Sequence, residues 1–113
     1  MLIDQSLLKS SAFVDGKWID SGEGHFTVDN PASGEKLATV CDCGQATAAA
    51  AIDAAAAALP AWAALTAAKR GKFLMKWHDL IRQNLNDLAT ILTLEQGKPI
   101  KEAIGEILYG ASF

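Results

Sequence analysis

Apolar residues recur every three or four positions through the C-terminal half of the chain, which is the spacing of helices that bury one face. Gly97 stands where a left-handed helix cap is expected. Pro99 follows where a new helix can begin, because proline lacks the N–H that a first turn leaves unpaired. The second apolar series is still in phase at Phe113, so we expect a fragment of a longer protein. The two series are Phe73, Leu74, Trp77, Leu80, Ile81, Leu85, Leu88, Ile91 and Leu92, and then Ile100, Ala103, Ile104, Ile107, Leu108 and Ala111.

The N-terminal part of the chain has short β-prone runs separated by turn residues. Asp15-Gly16 lies between two such runs and predicts a tight hairpin over residues 13–20. Pro31 removes a ladder donor and marks a corner between two further strands. The predicted β region covers residues 12–43, with strands at 25–28 and 36–40 and loops at 21–24 and 29–35.

Helical spacing begins at Gln45, and residues 45–113 are predicted to form about four helices. Thr47 is the expected N-cap of an alanine-rich helix that Pro60 either ends or kinks. We expect that helix to dock closely on its neighbours through its small side chains. Thr66 is the expected cap of the next helix, whose apolar residues from Phe73 onward would point inward.

Two features of the later helices predict how they pack. Asn86 is expected to cap a new helix where the long apolar series breaks. Gly105 and Gly110 each cost about 1 kcal/mol relative to alanine inside a helix, so we expect another backbone to approach closely there. The apolar stripe of the last helix is expected to need further chain to cover it, and it consists of Ile100, Ile104, Ile107 and Leu108.

Composition narrows the class of protein. Half of the residues are hydrophobic, but many of these are alanine, so burial must come from the larger side chains. A net charge of −3 argues against partners such as nucleic acid or an anionic membrane. The alanine-rich run at 46–58 is expected to be too short and too weakly apolar for a membrane span. With two cysteines and no signal-peptide pattern, we expect a cytoplasmic protein.

The residues that could carry chemistry have mostly structural explanations. Cys41 and Cys43 are separated by one residue, so a strand would send their sulfurs to opposite faces, and we interpret them as ordinary small residues. His78 is interpreted as a border residue of an apolar stripe. No glycine-rich phosphate motif is present. The acidic side chains near Gly97 are predicted to be exposed partners of nearby lysines, and these are Glu95, Glu102 and Glu106 with Lys98 and Lys101. Residue chemistry alone therefore predicts no catalytic constellation.

Four segments, in this order, resemble the N-terminal part of NAD(P)-dependent aldehyde dehydrogenases. Among that family, the chain is most similar to the succinate-semialdehyde dehydrogenase branch, and the resemblance runs from Phe13 onward. The segments are Val14-Asp15-Gly16-Lys17-Trp18, Asn30-Pro31-Ala32-Ser33-Gly34-Glu35, Ala58-Leu59-Pro60-Ala61-Trp62 and Leu94-Glu95-Gln96-Gly97-Lys98-Pro99, the last followed by Glu102-Ala103, Gly105-Glu106-Ile107 and Tyr109.

The resemblance implies an enzyme that oxidises an aldehyde, such as succinate semialdehyde, to a carboxylic acid. Its steps would be thiohemiacetal formation, hydride transfer to NAD or NADP, and thioester hydrolysis, in a full-length homo-oligomer. The family's nucleophilic cysteine, general base, oxyanion-holding asparagine and cofactor-phosphate segment lie farther along a longer chain, so no catalytic or cofactor-binding residue is expected here. The resemblance also implies a structural monovalent cation held by Val28, Asp29 and Glu106.

The expected fold is therefore an α+β fragment, with N-terminal antiparallel β-hairpins followed by about four helices. Residues 1–113 would form the incomplete N-terminal part of the α/β, Rossmann-like cofactor-binding domain. The alternative is a self-contained helical binding or scaffold module without catalytic activity. A self-contained module should bury its apolar stripes internally, whereas a fragment should leave them open.

Overall fold

The computed structural model describes residues 2–20 and 24–113. Within these ranges the chain begins with a short 3-10 helix, Gln5–Leu7, and continues through four strands and four α-helices. The predicted loop at 21–24 falls almost entirely outside the described residues. The elements in order are β1 (Ala12–Val14), β2 (Lys17–Ile19), β3 (His25–Asp29), β4 (Lys36–Cys41), α1 (Gly44–Ala64), α2 (Ala67–Gln83), α3 (Leu85–Gln96) and α4 (Ile100–Ala111).

The first hairpin pairs β1 with β2, as the sequence predicts. Asp15 and Gly16 form its turn with φ of 50° and 75°. Positive φ at both positions is the geometry of the primed turn that matches strand twist. Phe13 and Trp18 face each other across the pair, and their ring centroids lie 5.1 Å apart. The predicted hairpin is therefore confirmed.

The second hairpin pairs β3 with β4 in antiparallel register, with an irregularity between Val28 and Asp29. Asn30 organises the corner that follows: its backbone N–H donates to the Glu35 carbonyl at 2.8 Å, and its side-chain oxygen accepts from the Ala32 N–H at 2.9 Å. Both predicted strands are confirmed. The two hairpins form separate two-stranded sheets in the part of the chain that the structure describes.

The alanine-rich helix α1 differs from the prediction in three ways. It begins at Gly44 after Cys43, so Thr47 is not its cap. It continues through Pro60 to Ala64, so of the two predicted effects of Pro60, a helix end or a kink, the helix end is wrong. It also has no buried residue, so the expected close docking is wrong. One face of α1 lies toward the first hairpin and is partly covered. Its alanine side chains are small, so this contact removes little apolar area from water.

Helix α1 is long and apolar enough to cross a membrane, judged by length and composition alone. The expectation that this run is too short for a span is wrong, because the helix does not stop at Pro60. Core helices of soluble proteins and signal sequences meet the same criterion.

Helix α2 begins as predicted, with the Thr66 hydroxyl oxygen accepting the Lys69 N–H at 3.3 Å. Its predicted inward face is wrong for this structure. Phe73 is 60% exposed, Trp77 is 65% exposed and Leu80 is 46% exposed. Among the described residues, no other element covers this side of α2 enough to bury these three side chains.

The break between α2 and α3 is confirmed, but it lies at Asn84 rather than Asn86. The Asn84 side-chain nitrogen donates to the Leu80 carbonyl at 2.9 Å, which closes the end of α2. Asn86 lies inside the first turn of α3, where its carbonyl accepts the Thr90 hydroxyl at 2.8 Å. The cap is therefore the residue that can satisfy the carbonyls of the preceding helix.

Helices α3 and α4 pack against each other on either side of Gly97, whose φ of 77° confirms the predicted left-handed cap. Ala89 and Ala103 are fully buried. The stripe of α4 is largely packed rather than open: Ile104, Ile107 and Leu108 are half-buried, and Ile100 is 43% exposed.

Gly105 and Gly110 do not meet another backbone in the described structure. A Cβ built on either residue would have nothing within 4 Å. The predicted close approach is therefore wrong within residues 2–20 and 24–113.

Asp87 is a buried anchor that the sequence prediction missed. It is 6% exposed, and its carboxylate oxygens accept the backbone N–H of Ile3 at 2.9 Å and of Asp4 at 2.7 Å. The carboxylate therefore attaches the N-terminal segment to the start of α3.

Candidate functional site

The two cysteines form a thiol pair at the junction of β4 and α1. Cys41 is the last residue of β4, and Cys43 directly precedes the helix with φ −86° and ψ −10°. Because Cys43 has left the extended conformation, the alternation of a strand no longer separates the two side chains. Their sulfurs lie 3.0 Å apart. The prediction that the sulfurs point to opposite faces is wrong.

The two thiols differ in environment. Cys41 is buried at 8% exposure, and Cys43 is half-buried. The hydrogen bond to Cys43 and burial raise the pKa of the Cys41 thiol above its ordinary value. Cys41 therefore holds its proton more tightly than an ordinary thiol does, and Cys43 is the more exposed of the two side chains.

The Asn-Pro corner touches the loop between α3 and α4. A Cβ built on Gly97 would lie 3.1 Å from Pro31 Cγ, so the absence of a side chain at Gly97 allows this contact. Two of the segments that resemble the aldehyde dehydrogenase family, more than sixty residues apart in sequence, are in contact here.

Lys98 and Glu106 form an ion pair beside this contact. The Lys98 ammonium donates to Glu106 Oε1, which confirms the predicted lysine partner for Glu106. Of the predicted cation ligands, Val28 is half-buried in β3, Asp29 is exposed at its end, and Glu106 carries the ammonium of Lys98. One oxygen of the Glu106 carboxylate, Oε1, is therefore already paired with Lys98.

Neither histidine lies in a cluster suited to catalysis. His78 Nδ1 is 3.0 Å from Asp79 Oδ1, and His25 Nε2 is 2.7 Å from Asp20 Oδ2. No group of three or more His, Cys, Asp or Glu side chains that could hold a metal ion occurs in the described ranges.

An apolar groove lies between α2 and the end of α4, with a volume of about 490 Å³. Half-exposed side chains form its walls, and polar groups are few. We call it the α2–α4 groove, and its residues are Leu74, Met75, Trp77, His78, Ile81, Gly110, Ala111, Ser112 and Phe113. Sequence periodicity identified four of these nine residues, Leu74, Trp77, Ile81 and Ala111, and assigned them to buried helix faces.

Comparison with known proteins agrees with this architecture. The chain is 50% identical over 113 residues to the glutarate-semialdehyde dehydrogenase of Pseudomonas aeruginosa, covering 99% of this chain and 23% of that protein. It is 49% identical to the NADP(+) succinate-semialdehyde dehydrogenase of Escherichia coli, again over 99% of this chain and 23% of the relative.

A solved structure shows the same similarity. The crystal structure of an aldehyde dehydrogenase from Brucella melitensis biovar abortus 2308 superposes with a TM-score of 0.94 at 52% identity, covering 98% of this chain and 23% of that one. The expected fold, antiparallel hairpins followed by four helices as in the N-terminal part of these enzymes, is confirmed. The chain spans about 23% of the length of these relatives.

A family model gives the same assignment from sequence. The model of the aldehyde dehydrogenase family matches residues 18–113, which include the second hairpin and all four helices. The chain belongs to the aldehyde dehydrogenase family.

Proposed function

We propose that residues 1–113 form the N-terminal part of the cofactor-binding domain of an NAD(P)-dependent dehydrogenase that oxidises succinate semialdehyde to a dicarboxylic acid. The observation that carries the proposal is identity of about half the residues, over nearly the whole chain, with succinate- and glutarate-semialdehyde dehydrogenases. The proposed role of this chain is structural, because residues 2–20 and 24–113 contain no nucleophile–base pair and the sequence contains no glycine-rich phosphate motif.

The activity is tested on the complete polypeptide that carries this sequence. We expect it to reduce NAD or NADP with succinate semialdehyde, and its kcat/KM for glutarate semialdehyde and for a neutral aldehyde of similar length gives the preference. A complete polypeptide that oxidises the neutral aldehyde at least as well as both semialdehydes contradicts the substrate proposal.

The structural role is tested separately on the 113-residue chain. Calorimetric titration with NAD and with NADP is expected to give no saturable binding, and an activity assay to give no turnover. Saturable one-site binding in the micromolar range would place a cofactor-binding segment within these residues and refute the assignment.

We also propose that the α2–α4 groove is covered by a later part of the same polypeptide. Leu74 is 51% exposed and Trp77 is 65% exposed, whereas burying a large apolar side chain fully is worth ~1.5–3 kcal/mol. No large side chain in the described ranges is fully buried. A self-contained helical module would bury its stripe, so this exposure favours the enzyme over that alternative.

The test compares two exposed leucines on neighbouring helices. Leu74→Glu is expected to lower the melting temperature of the complete polypeptide by several degrees, because it places a charge in a covered groove. Leu59→Glu is the matched control, since Leu59 lies on α1 outside the groove at 59% exposure. Equal melting temperatures for the two variants would show that the groove stays open.

A structural monovalent cation bound by Val28, Asp29 and Glu106 is a further part of the proposal. The Pro31–Gly97 contact supports it, because it brings the corner after β3 against the loop that precedes α4. Glu106 already pairs with Lys98, so a bound cation would either share the Glu106 carboxylate with the Lys98 ammonium or displace that ammonium. The melting temperature is expected to be higher in potassium or sodium chloride than in choline chloride at equal ionic strength. Glu106→Gln should abolish the difference and Glu102→Gln should keep it; no difference in the unmodified protein contradicts the site.

For the complete protein we propose a cytoplasmic homo-oligomer whose partner is a small aldehyde rather than nucleic acid or a membrane. The net charge of these 113 residues is −3, which argues against polyanionic partners for this part of the protein. Light scattering after size-exclusion chromatography measures the assembly, and a monomer at micromolar concentration would contradict it.

A further inference from the structure

We propose that Cys41 and Cys43 are an oxidisable dithiol that closes to a disulfide when the protein meets hydrogen peroxide. The 3.0 Å between their sulfurs carries this inference. A disulfide bond is ~2.05 Å long, so bond formation needs a sulfur movement of only about 1 Å. The proposal concerns a modification site and does not depend on the dehydrogenase activity.

The backbone on this junction is held in place on several sides. The Cys41 N–H donates to the Ser10 carbonyl at 2.9 Å, and the Asp42 N–H donates to the Gly24 carbonyl at 2.8 Å. Cys41 is also paired with His25 across the second hairpin. Helix α1 then begins directly after Cys43. The fold therefore presents the two thiols to each other, which a flexible chain would do only part of the time.

The difference in exposure sets the order of reaction. Cys43 is reached first because it is the more exposed thiol, and the raised pKa of Cys41 keeps that thiol protonated and less reactive. The Cys43 sulfur attacks one oxygen of hydrogen peroxide, an S–O bond forms, the O–O bond breaks, and the leaving hydroxide takes up the proton of the Cys43 thiol to become water. Cys43 is then a sulfenic acid.

The second step consumes the sulfenic acid. The Cys41 sulfur attacks the Cys43 sulfur, the S–S bond forms and the S–O bond breaks. The hydroxyl group leaves as water with the proton of the Cys41 thiol. In total, two thiols and one hydrogen peroxide give one disulfide and two waters, a two-electron oxidation that a dithiol reductant reverses. The nearby thiol thus prevents further, irreversible oxidation of Cys43.

The test uses a tryptic peptide that isolates the pair. Residues 37–69 contain both cysteines and no internal Lys or Arg, so one peptide reports on them in the complete polypeptide. The folded, reduced protein is treated with hydrogen peroxide, and its remaining thiols are alkylated. It is then digested with trypsin without reduction, and the mass of the peptide is measured by mass spectrometry. We expect the loss of two hydrogen masses and no alkylation, reversed by dithiothreitol before alkylation.

Two single variants separate the roles of the thiols. In Cys41→Ser, we expect Cys43 to accumulate sulfinic and sulfonic acid. In Cys43→Ser, we expect Cys41 to remain reduced over the same exposure because it is buried. If Cys43 in the unmodified protein over-oxidises as fast as it does in Cys41→Ser, the second thiol does not resolve the sulfenic acid and the proposal is wrong.

Comparison with the unfolded chain keeps the test independent of the variants. In urea the pair loses its fixed geometry. The rate of disulfide formation per sulfenic acid formed at Cys43 should therefore be at least ~10-fold lower than in the folded protein at the same peroxide concentration. An equal or faster rate in urea would show that the fold does not bring the thiols together. Recovery of both thiols in alkylated form from the folded protein would show that Cys41 and Cys43 only fill space.

Discussion

The Asp87 carboxylate is expected to hold the N-terminal segment on the start of α3. It accepts two backbone N–H groups, at 2.9 Å from Ile3 and 2.7 Å from Asp4. Hydrogen bonds to a charged group contribute about 1.5–3 kcal/mol each when their partners are buried. Ile3 is 90% exposed, so water can replace part of what is lost, and the lower end of that range applies.

Two substitutions of Asp87 grade the effect. Asp87→Ala removes both acceptors and should reduce the free energy of unfolding by about 3 kcal/mol, the lower end of the range for two bonds. Asp87→Asn keeps one carbonyl oxygen and turns an amide toward the second N–H, so it should cost about half as much, about 1.5 kcal/mol. Asp53→Asn on the exposed surface of α1 is the matched control and should have no measurable effect.

Hydrogen exchange gives the local readout and denaturant unfolding gives the global one. The amides of Ile3 and Asp4 should exchange faster in both Asp87 variants, in the order alanine then asparagine, while amides in the middle of α3 keep their protection. Unchanged exchange at Ile3 and Asp4 in Asp87→Ala would refute the anchor and show that the segment is held by other contacts.

Three further predictions test local geometry. Gly97→Ala should destabilise the protein by about 1–2 kcal/mol in thermal unfolding, because it puts a side chain at φ 77° and against Pro31; an unchanged melting temperature would contradict the cap. Hydrogen bonds from the Ser6 hydroxyl and backbone N–H lower the pKa of Asp4. The ionised Asp4 side chain should therefore stabilise the fold fully above the ordinary aspartate pKa, and this stabilisation should be lost as the pH falls through the lowered pKa. NMR titration of Asp4 should give a lowered pKa, and an ordinary one would contradict the cap. Replacing Cys41 and Cys43 together with serine should leave kcat of the reduced complete enzyme within about threefold, a barrier change under 1 kcal/mol, and a hundredfold loss would reveal a catalytic thiol.

Local turn and cap chemistry made much of the fold predictable. Asp15-Gly16 specified a primed turn, Thr66 specified a helix start, and Gly97 specified a helix end, and each is where its residue type predicts. These signals are readable because they depend on the backbone preferences of one or two residues and on hydrogen bonds within a few positions. The aldehyde dehydrogenase resemblance rests on the same turns and caps.

Two predictions of helix starts are wrong, and the first is a choice between two chemically identical residues. Asn84 and Asn86 both suit a cap, and only the structure shows that the Asn84 side chain reaches the Leu80 carbonyl. Thr47 is a good cap residue by type, but β4 ends at Cys41 and helix α1 already begins at Gly44, directly after Cys43.

What the sequence by itself determined is the set of elements, their turns and the apolar face of each helix, because these follow from residue type and spacing. What only the tertiary structure decided is which of those faces find a partner and which distant groups meet. Periodicity places Trp77 on the apolar face of its helix. Only the structure shows that this side chain is exposed within the described residues. Nor does spacing predict that Asp87 reaches the N-terminal backbone, or that a change of backbone conformation at Cys43 turns its sulfur toward Cys41. Those contacts depend on the relative placement of elements, for which a linear pattern contains no distance.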